Sequence, residues 1–335
     1  MLDNIVVLLD GSRLAMCVLP HTRALAEAFR ADITLLHVLE PKEKTDTGRL
    51  DPLNWHLRKI EAQSFLNAAA QEDADEETPL ETMLLEGPAA NRIVEYIDKN
   101  NPDLVVLSSH GQGGLSPWNV SSVAQKIIYR AFCSLLLVRA YQQPAEPAVK
   151  VRYRRIVVPL DGSKRAECAL PFAVRLAAVH EAELILVHAQ VPPTLIQSHT
   201  LSPEEMAAVE QLAERNQVEA DHYLAQVAAQ IQPEPLTRRL VASNAADALL
   251  GFINHNDVDL VAMCAHGYSS ETTRPYGSVV SNLIAYGSSS LLIIQDLPQD
   301  QIRQTQAELS ASASGGARQM NRTMAYAQPA NWSTK

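Results

Sequence analysis

Short runs of Val, Ile and Leu alternate with longer segments whose apolar residues recur at helical spacing, and this alternation fills most of the chain. A nearly unbroken apolar run fits a strand covered on both faces, and a 3.6-residue period fits the helix that covers it. The runs place strands of the first half at 4–10, 33–39, 80–86, 103–108 and 134–139. Strict alternation of strand and helix predicts parallel strands joined by right-handed helical crossovers. Two helix starts are explicit. Asp51-Pro52 offers an N-cap with proline at the first helical position, and Ser202-Pro203-Glu204-Glu205 adds a capping box in which Glu205 returns a bond to the cap amide.

The pattern occurs twice. IVVLLDGS at 5–12 matches IVVPLDGS at 156–163, and the same offset of 151 links Cys17 to Cys168, Pro20 to Pro171 and His37 to His188. Further along, His110-Gly111 matches His266-Gly267 at an offset of 156, so the second repeat carries five extra residues in its middle segment. The expected organisation is a first domain at 1–140, a linker at 141–150, a second domain at 151–297 and a tail at 298–335. The linker, AYQQPAEPAVK with its flanking alanine, has two prolines and no apolar period. The tail, rich in Gln, Ser, Ala and Gly, lacks the apolar density to pack alone and reads as disordered, with Met320, Tyr326 or Trp332 as handles for a protein partner.

Composition narrows the function. The chain of 335 residues is 47% hydrophobic and 20% charged, as for a globular protein of two domains. Its formal net charge of -10 argues against nucleic acid or an anionic membrane as partner, since both select basic patches. No apolar run is long enough to span a bilayer, and the start Met-Leu-Asp-Asn lacks the features of a signal peptide, so a cytoplasmic location is expected. Cys17, Cys133, Cys168 and Cys264 form no C-x-x-C pair and have no His at ligand spacing; they are expected to be reduced, buried and neither metal-bound nor disulfide-linked.

Ligands of open parallel sheets bind at the carboxyl ends of strands where the strand order reverses. Three features converge there in each repeat. Asp10 and Asp161 end the first strand before Gly-Ser and could accept hydrogen bonds from a ribose or a base, although Asp-Gly-Ser by itself favours a turn residue or helix cap. A His-Gly loop follows the fourth strand. Ser121-Ser122 or Gly277-Ser278 then opens the last helix, whose unpaired amides suit a phosphate.

These residues resemble the universal stress protein family: a strand ending in Asp, a His after the second strand, and G-x-x-G, nine residues, then G-(S/T) before a final helix. The resemblance covers about residues 1–297 and implies two tandem, open, parallel five-stranded α/β sheets. They would be Rossmann-like, of the adenine nucleotide alpha hydrolase-like type, joined as an intramolecular pseudo-dimer through Leu135-Leu-Leu-Val138 and Leu291-Leu-Ile-Ile294. Further association into a homodimer stays open.

It also implies ATP or another adenine nucleotide as ligand, with Mg as an ion that could accompany it. In the second repeat Cys264 stands at the first glycine, and Gly267, Gly277 and Ser278 match the rest; Pro159, Leu160, Asp161, Ala189, Met263, His266 and Val279 flank them, and Arg274 is a candidate phosphate partner. The first repeat has Asp10, Val38, Ser108, Gly111, Ser121 and Ser122 at these places and keeps one glycine, so it ranks as the weaker site. Against that order, the first repeat has the family-like Gly87-Pro88-Ala89 and the second has Ser243-Asn244-Ala245.

Three readings follow. The leading one is a stress or regulatory protein that binds an adenine nucleotide, mainly in its second domain. The second is an interaction module without nucleotide. An enzyme is disfavoured, with slow ATP hydrolysis left open: there is no G-x-x-x-x-G-K-(S/T) or His-x-Gly-His, no catalytic or metal-ligating residue stands out, and His266 has no carboxylate partner identifiable in the sequence.

Overall fold

A computed structural model describes residues 2–41, 52–72, 80–111, 120–140, 150–191, 202–268 and 274–296. Nearly all of the linker, the whole tail and the cap residue Asp51 lie outside the described residues. The first repeat contains β1 (Asn4–Leu9), α1 (Val18–Phe29), β2 (Asp32–Leu39), α2 (Pro52–Glu72), β3 (Leu80–Glu86), α3 (Ala89–Asn100), β4 (Leu104–Ser108), α4 (Ser122–Ile128) and β5 (Leu135–Val138). The second contains β6 (Arg155–Pro159), α5 (Leu170–His180), β7 (Glu183–Gln190), α6 (Pro203–Ala228), β8 (Leu236–Val241), α7 (Ala245–His255), β9 (Leu260–Cys264), α8 (Ser278–Tyr286) and β10 (Ser290–Ile294). The capping box at Ser202 and Glu205 forms with both reciprocal bonds. Among the described residues α6 has 26 residues where α2 has 21, within the middle segment where the second repeat is five residues longer.

The expected five-stranded sheets merge into one. Ten strands run in the order β3-β2-β1-β4-β5-β10-β9-β6-β7-β8, parallel within each repeat and antiparallel where β5 meets β10. At this junction Leu135, Leu136 and Leu137 pair with Ile293, Leu292 and Leu291, and all six are buried. Alternate strand residues feed two cores. Ile5, Val7, Leu136 and Leu292 face one side, and Val6, Leu135, Leu137, Leu291 and Ile293 face the other. Each core therefore runs unbroken across the junction, which is the pseudo-dimer contact that the apolar last strands predict. The edge strands β3 and β8 instead alternate between half-buried and exposed positions, as expected of strands with only one neighbour.

A buried cation closes the junction. Arg139, fully buried just past β5, donates from Nη2 to the carbonyls of Leu283 (2.8 Å) and Ile284 (3.0 Å) and from Nε to that of Ser289 (3.3 Å). These carbonyls lie at and beyond the end of α8, where helices leave acceptors unpaired and the dipole favours a positive charge. The first repeat thus caps a helix of the second. Across the outer helices, His21 Nδ1 meets the Tyr153 hydroxyl at 2.9 Å, and the Tyr153 ring packs edge-on against His180. Burial pushes the His21 pKa down to about 4, with Asp259 opposing part of the shift.

Candidate functional site

The strand order reverses between β1 and β4 in the first repeat and between β6 and β9 in the second, which opens a crevice at the carboxyl end of each half-sheet. Each first strand ends in the same turn. Gly11 (φ 84°) and Gly162 (φ 85°) occupy the left-handed region that glycine enters without strain. Asp10 Oδ1 accepts from Ser12 N (3.0 Å), Asp161 Oδ1 accepts from Ser163 N (2.9 Å), and Ser12 Oγ and Ser163 Oγ accept from Ala15 N and Ala166 N. The aspartates are turn residues, and they also line the crevices.

Their second oxygens explain the glycine that both repeats keep. Asp10 Oδ2 lies against the Gly111 backbone and Asp161 Oδ2 against that of Gly267, so a Cβ at either glycine would collide with the carboxylate. Tyr268 N also donates to Asp161 Oδ2 at 2.6 Å. The shared glycine is therefore accounted for by contact with the aspartate, and only the remaining positions distinguish the two loops as ligand sites.

Two backbone bonds close each loop in the same way. Ser109 N and Ala265 N donate to the last-strand carbonyls of Val138 and Ile294, and Ser121 N and Gly277 N donate to Ser109 O and Ala265 O. The starts of α4 and α8 are thus held beside the aspartates. Ser121 Oγ accepts from Ala124 N (3.3 Å), whereas Gly277 at the start of α8 supplies no side-chain cap.

The cavities rank the repeats in the opposite order from their loops. The first crevice encloses ≈ 770 Å³ and is lined by all six residues expected there, Asp10, Val38, Ser108, Gly111, Ser121 and Ser122. The second encloses ≈ 110 Å³ and is lined by every expected residue except Arg274. Arg274 is exposed and does not reach it. Among the described residues the cation that lines a crevice is Arg58 of α2, which donates to the Glu40 carbonyl (3.0 Å) in the first repeat and lies over the Trp55 ring. The loop alone did not reveal it, because α2 is remote in sequence.

Three contacts tighten the second crevice. His266 Nδ1 lies 2.5 Å from Asp296 Oδ1, and Nε2 lies 2.7 Å from the Arg274 carbonyl. Arg165 pairs with the other oxygen of Asp296, and all three side chains are nearly buried. His266 therefore has a carboxylate partner after all, but with both ring nitrogens facing oxygen acceptors it works as a clamp between the loop and the end of β10. The matched residues of the first repeat are His110, Leu14 and Ala140, which cannot build this cluster. The third contact corrects the expectation of four unlinked cysteines: Cys168 and Cys264 form a disulfide across 6.2 Å between Cα atoms. Cys17 and Cys133 are free thiols, each with its pKa pushed up to about 12, mainly by burial. Ser108 stands where Cys264 does, so the first repeat has no second sulfur for such a link.

The differing entries into the third helix also find their reason. Glu40 Oε1 accepts from Ala89 N (2.6 Å) at the start of α3, while in the second repeat Asn244 caps α7 through Ala246 N (2.8 Å). Among the described residues no group of three or more His, Cys, Asp and Glu side chains could hold a metal ion, and no helix is long and apolar enough to cross a membrane.

Comparison with known proteins gives the same architecture. Universal stress protein MJ0531 of Methanocaldococcus jannaschii is 30% identical over 140 residues, covering 41% of this chain and 81% of that protein. Universal stress protein Mb2028c of Mycobacterium bovis is 26% identical over 270 residues, or 78% of this chain and 86% of the relative. The crystal structure of a universal stress protein from Archaeoglobus fulgidus superposes with a TM-score of 0.59 at 15% identity, covering 88% of this chain and 99% of that one, and supports the fold. The sequence pattern of the Universal stress protein family matches residues 1–139 and again 152–295, and the chain belongs to that family.

Proposed function

We propose that this stress protein binds an adenine nucleotide, ATP or AMP, in its repeat crevices and acts by binding rather than by turnover. The observation that carries this reading is the ≈ 770 Å³ cavity at the carboxyl ends of the first repeat's strands, with Asp10 on one wall and the start of α4 on the other. That volume suits a small-molecule site, for which roughly 300 to 1,000 Å³ is usual, and the second cavity falls below the range.

The second repeat contributes the better phosphate end. Gly277 leaves the first amides of α8 without a side-chain acceptor, as a phosphate site requires. The second domain is thus the main site once its cavity is wide enough, and the first is the site in the disulfide-linked form. Any Mg would arrive on the phosphates and keep its waters, which needs no carboxylate cage. The clamp role of His266 supports binding without hydrolysis, since both ring nitrogens are engaged by protein oxygens.

Equilibrium dialysis of the full chain with ATP and with AMP tests the reading. Saturable binding that Asp10→Ala weakens is expected. Failure of both nucleotides to bind at millimolar concentration overturns it and leaves an interaction module, with partners met through the surface or the segment 298–335.

A further inference from the structure

We infer that Cys168 and Cys264 form a reversible oxidation site that controls access to the second crevice, an inference that rests on the nucleotide reading. Cys264 ends β9 and lines that cavity. Cys168 sits in the short 3-10 turn Ala166–Ala169, which follows the Asp161 turn and whose Ala166 also lines the cavity. The bond therefore staples together the two walls between which a ligand would enter. The first repeat is an internal control. It has the same turn, strand and loop, carries Cys17 and Ser108 without a link, and its cavity is about seven times larger by the two volumes, ≈ 770 against ≈ 110 Å³.

The chemistry is thiol–disulfide exchange with a dithiol reductant. Cys168 is half-buried and Cys264 is 5% exposed, so the incoming thiolate attacks the Cys168 sulfur. A mixed disulfide forms there, the bond to Cys264 breaks, and Cys264 leaves as a thiolate that takes up a proton. The second thiol of the reductant then displaces Cys168. Two electrons and two protons pass to the protein, and the reductant becomes a disulfide. In a reducing compartment a bond of this kind is transient and sensing rather than structural.

The test compares the full chain after treatment with oxidised glutathione and after dithiothreitol. Peptide mapping without reductant reads the Cys168–Cys264 link, and dialysis with ATP reads stoichiometry. We expect binding to rise from about one ATP per chain when oxidised toward about two when reduced, because only the unlinked crevice is in a binding-competent state. Cys168→Ser, which removes the sulfur that does not line the cavity, should bind as the reduced protein does under either treatment. Cys17→Ser should respond as the parent does. Absence of the linked peptide after oxidation, or an equal stoichiometry in both states with the link present, overturns the inference. Should ATP bind in neither state, the nucleotide reading falls, and hydrogen exchange of the backbone at 264–268 and 274–279 decides the switch: faster exchange on reduction sustains it, and unchanged exchange sinks it.

Discussion

The two repeats share one backbone and differ in how tightly their crevices are held. In both, an aspartate presses on a glycine, and matched backbone hydrogen bonds tie the start of the last helix to the loop after the fourth strand and that loop to the last strand. The second repeat adds a disulfide and the buried Arg165–Asp296–His266 cluster, and its cavity is small. The first has Leu14, Ala140 and Ser108 at the matched positions and its cavity is wide. The second repeat thus combines the fastenings with the smaller cavity, and the first lacks them at three matched positions and has the larger one.

The strongest break in the comparison is Asp296→Ala, which gives the second repeat the alanine of the first. It leaves Arg165 and His266 buried without their carboxylate, and breaking such a buried ionic cluster costs about 3 to 5 kcal/mol, read by urea unfolding. The next is Gly111→Val against Gly267→Val. In the oxidised chain the first should lower ATP affinity on the order of 100-fold, about 2.7 kcal/mol, as the side chain displaces Asp10, and the second should leave that binding unchanged. Dialysis distinguishes them, and an equal effect of both would refute the assignment of the open site to the first repeat.

At the junction, Arg139→Met removes the donors to the end of α8 and should cost at least about 2 kcal/mol. Its counterpart Gln295, which donates to the Pro275 carbonyl (3.0 Å), should cost about 1 kcal/mol when changed to Met.

The last effect is absent at neutral pH and appears only in acid. His21 stays neutral in the fold with its pKa at about 4, so the unfolded chain binds the extra proton first. Its contribution is intact above pH 6.5 and is lost as pH falls from there through 4, amounting to about 2 kcal/mol at pH 5. His21→Phe, which copies Phe172 of the second repeat, should flatten this acid limb in unfolding curves taken from pH 7 to pH 5.

Much of the architecture was legible before the structure, because local pattern dictates it. The five strands read from the first half end within two residues of those observed, since each is an apolar run bounded by turn residues. The extra length of the second repeat was countable from the offsets and placed by them in the middle segment, where α6 lies. The site was legible less evenly. Seventeen of the eighteen expected residues line the two crevices, and Arg274, chosen for its charge within a loop, does not. Arg58, Asp296 and the Cys168–Cys264 bond were missed for one reason: each depends on elements that are distant in the chain and adjacent in the sheet.

Periodicity and repeat, then, were enough to determine the strand-helix alternation, the duplication, the apolar last strands and the position of the crevices, because these follow from near-neighbour chemistry along the chain. Only the tertiary structure decided which crevice is open. In the second repeat the packing of β6 beside β9 and of β9 beside β10 brings sulfurs 96 residues apart in the chain into bonding distance and seats Arg165 and His266 on one carboxylate, contacts between elements that no near-neighbour pattern encodes.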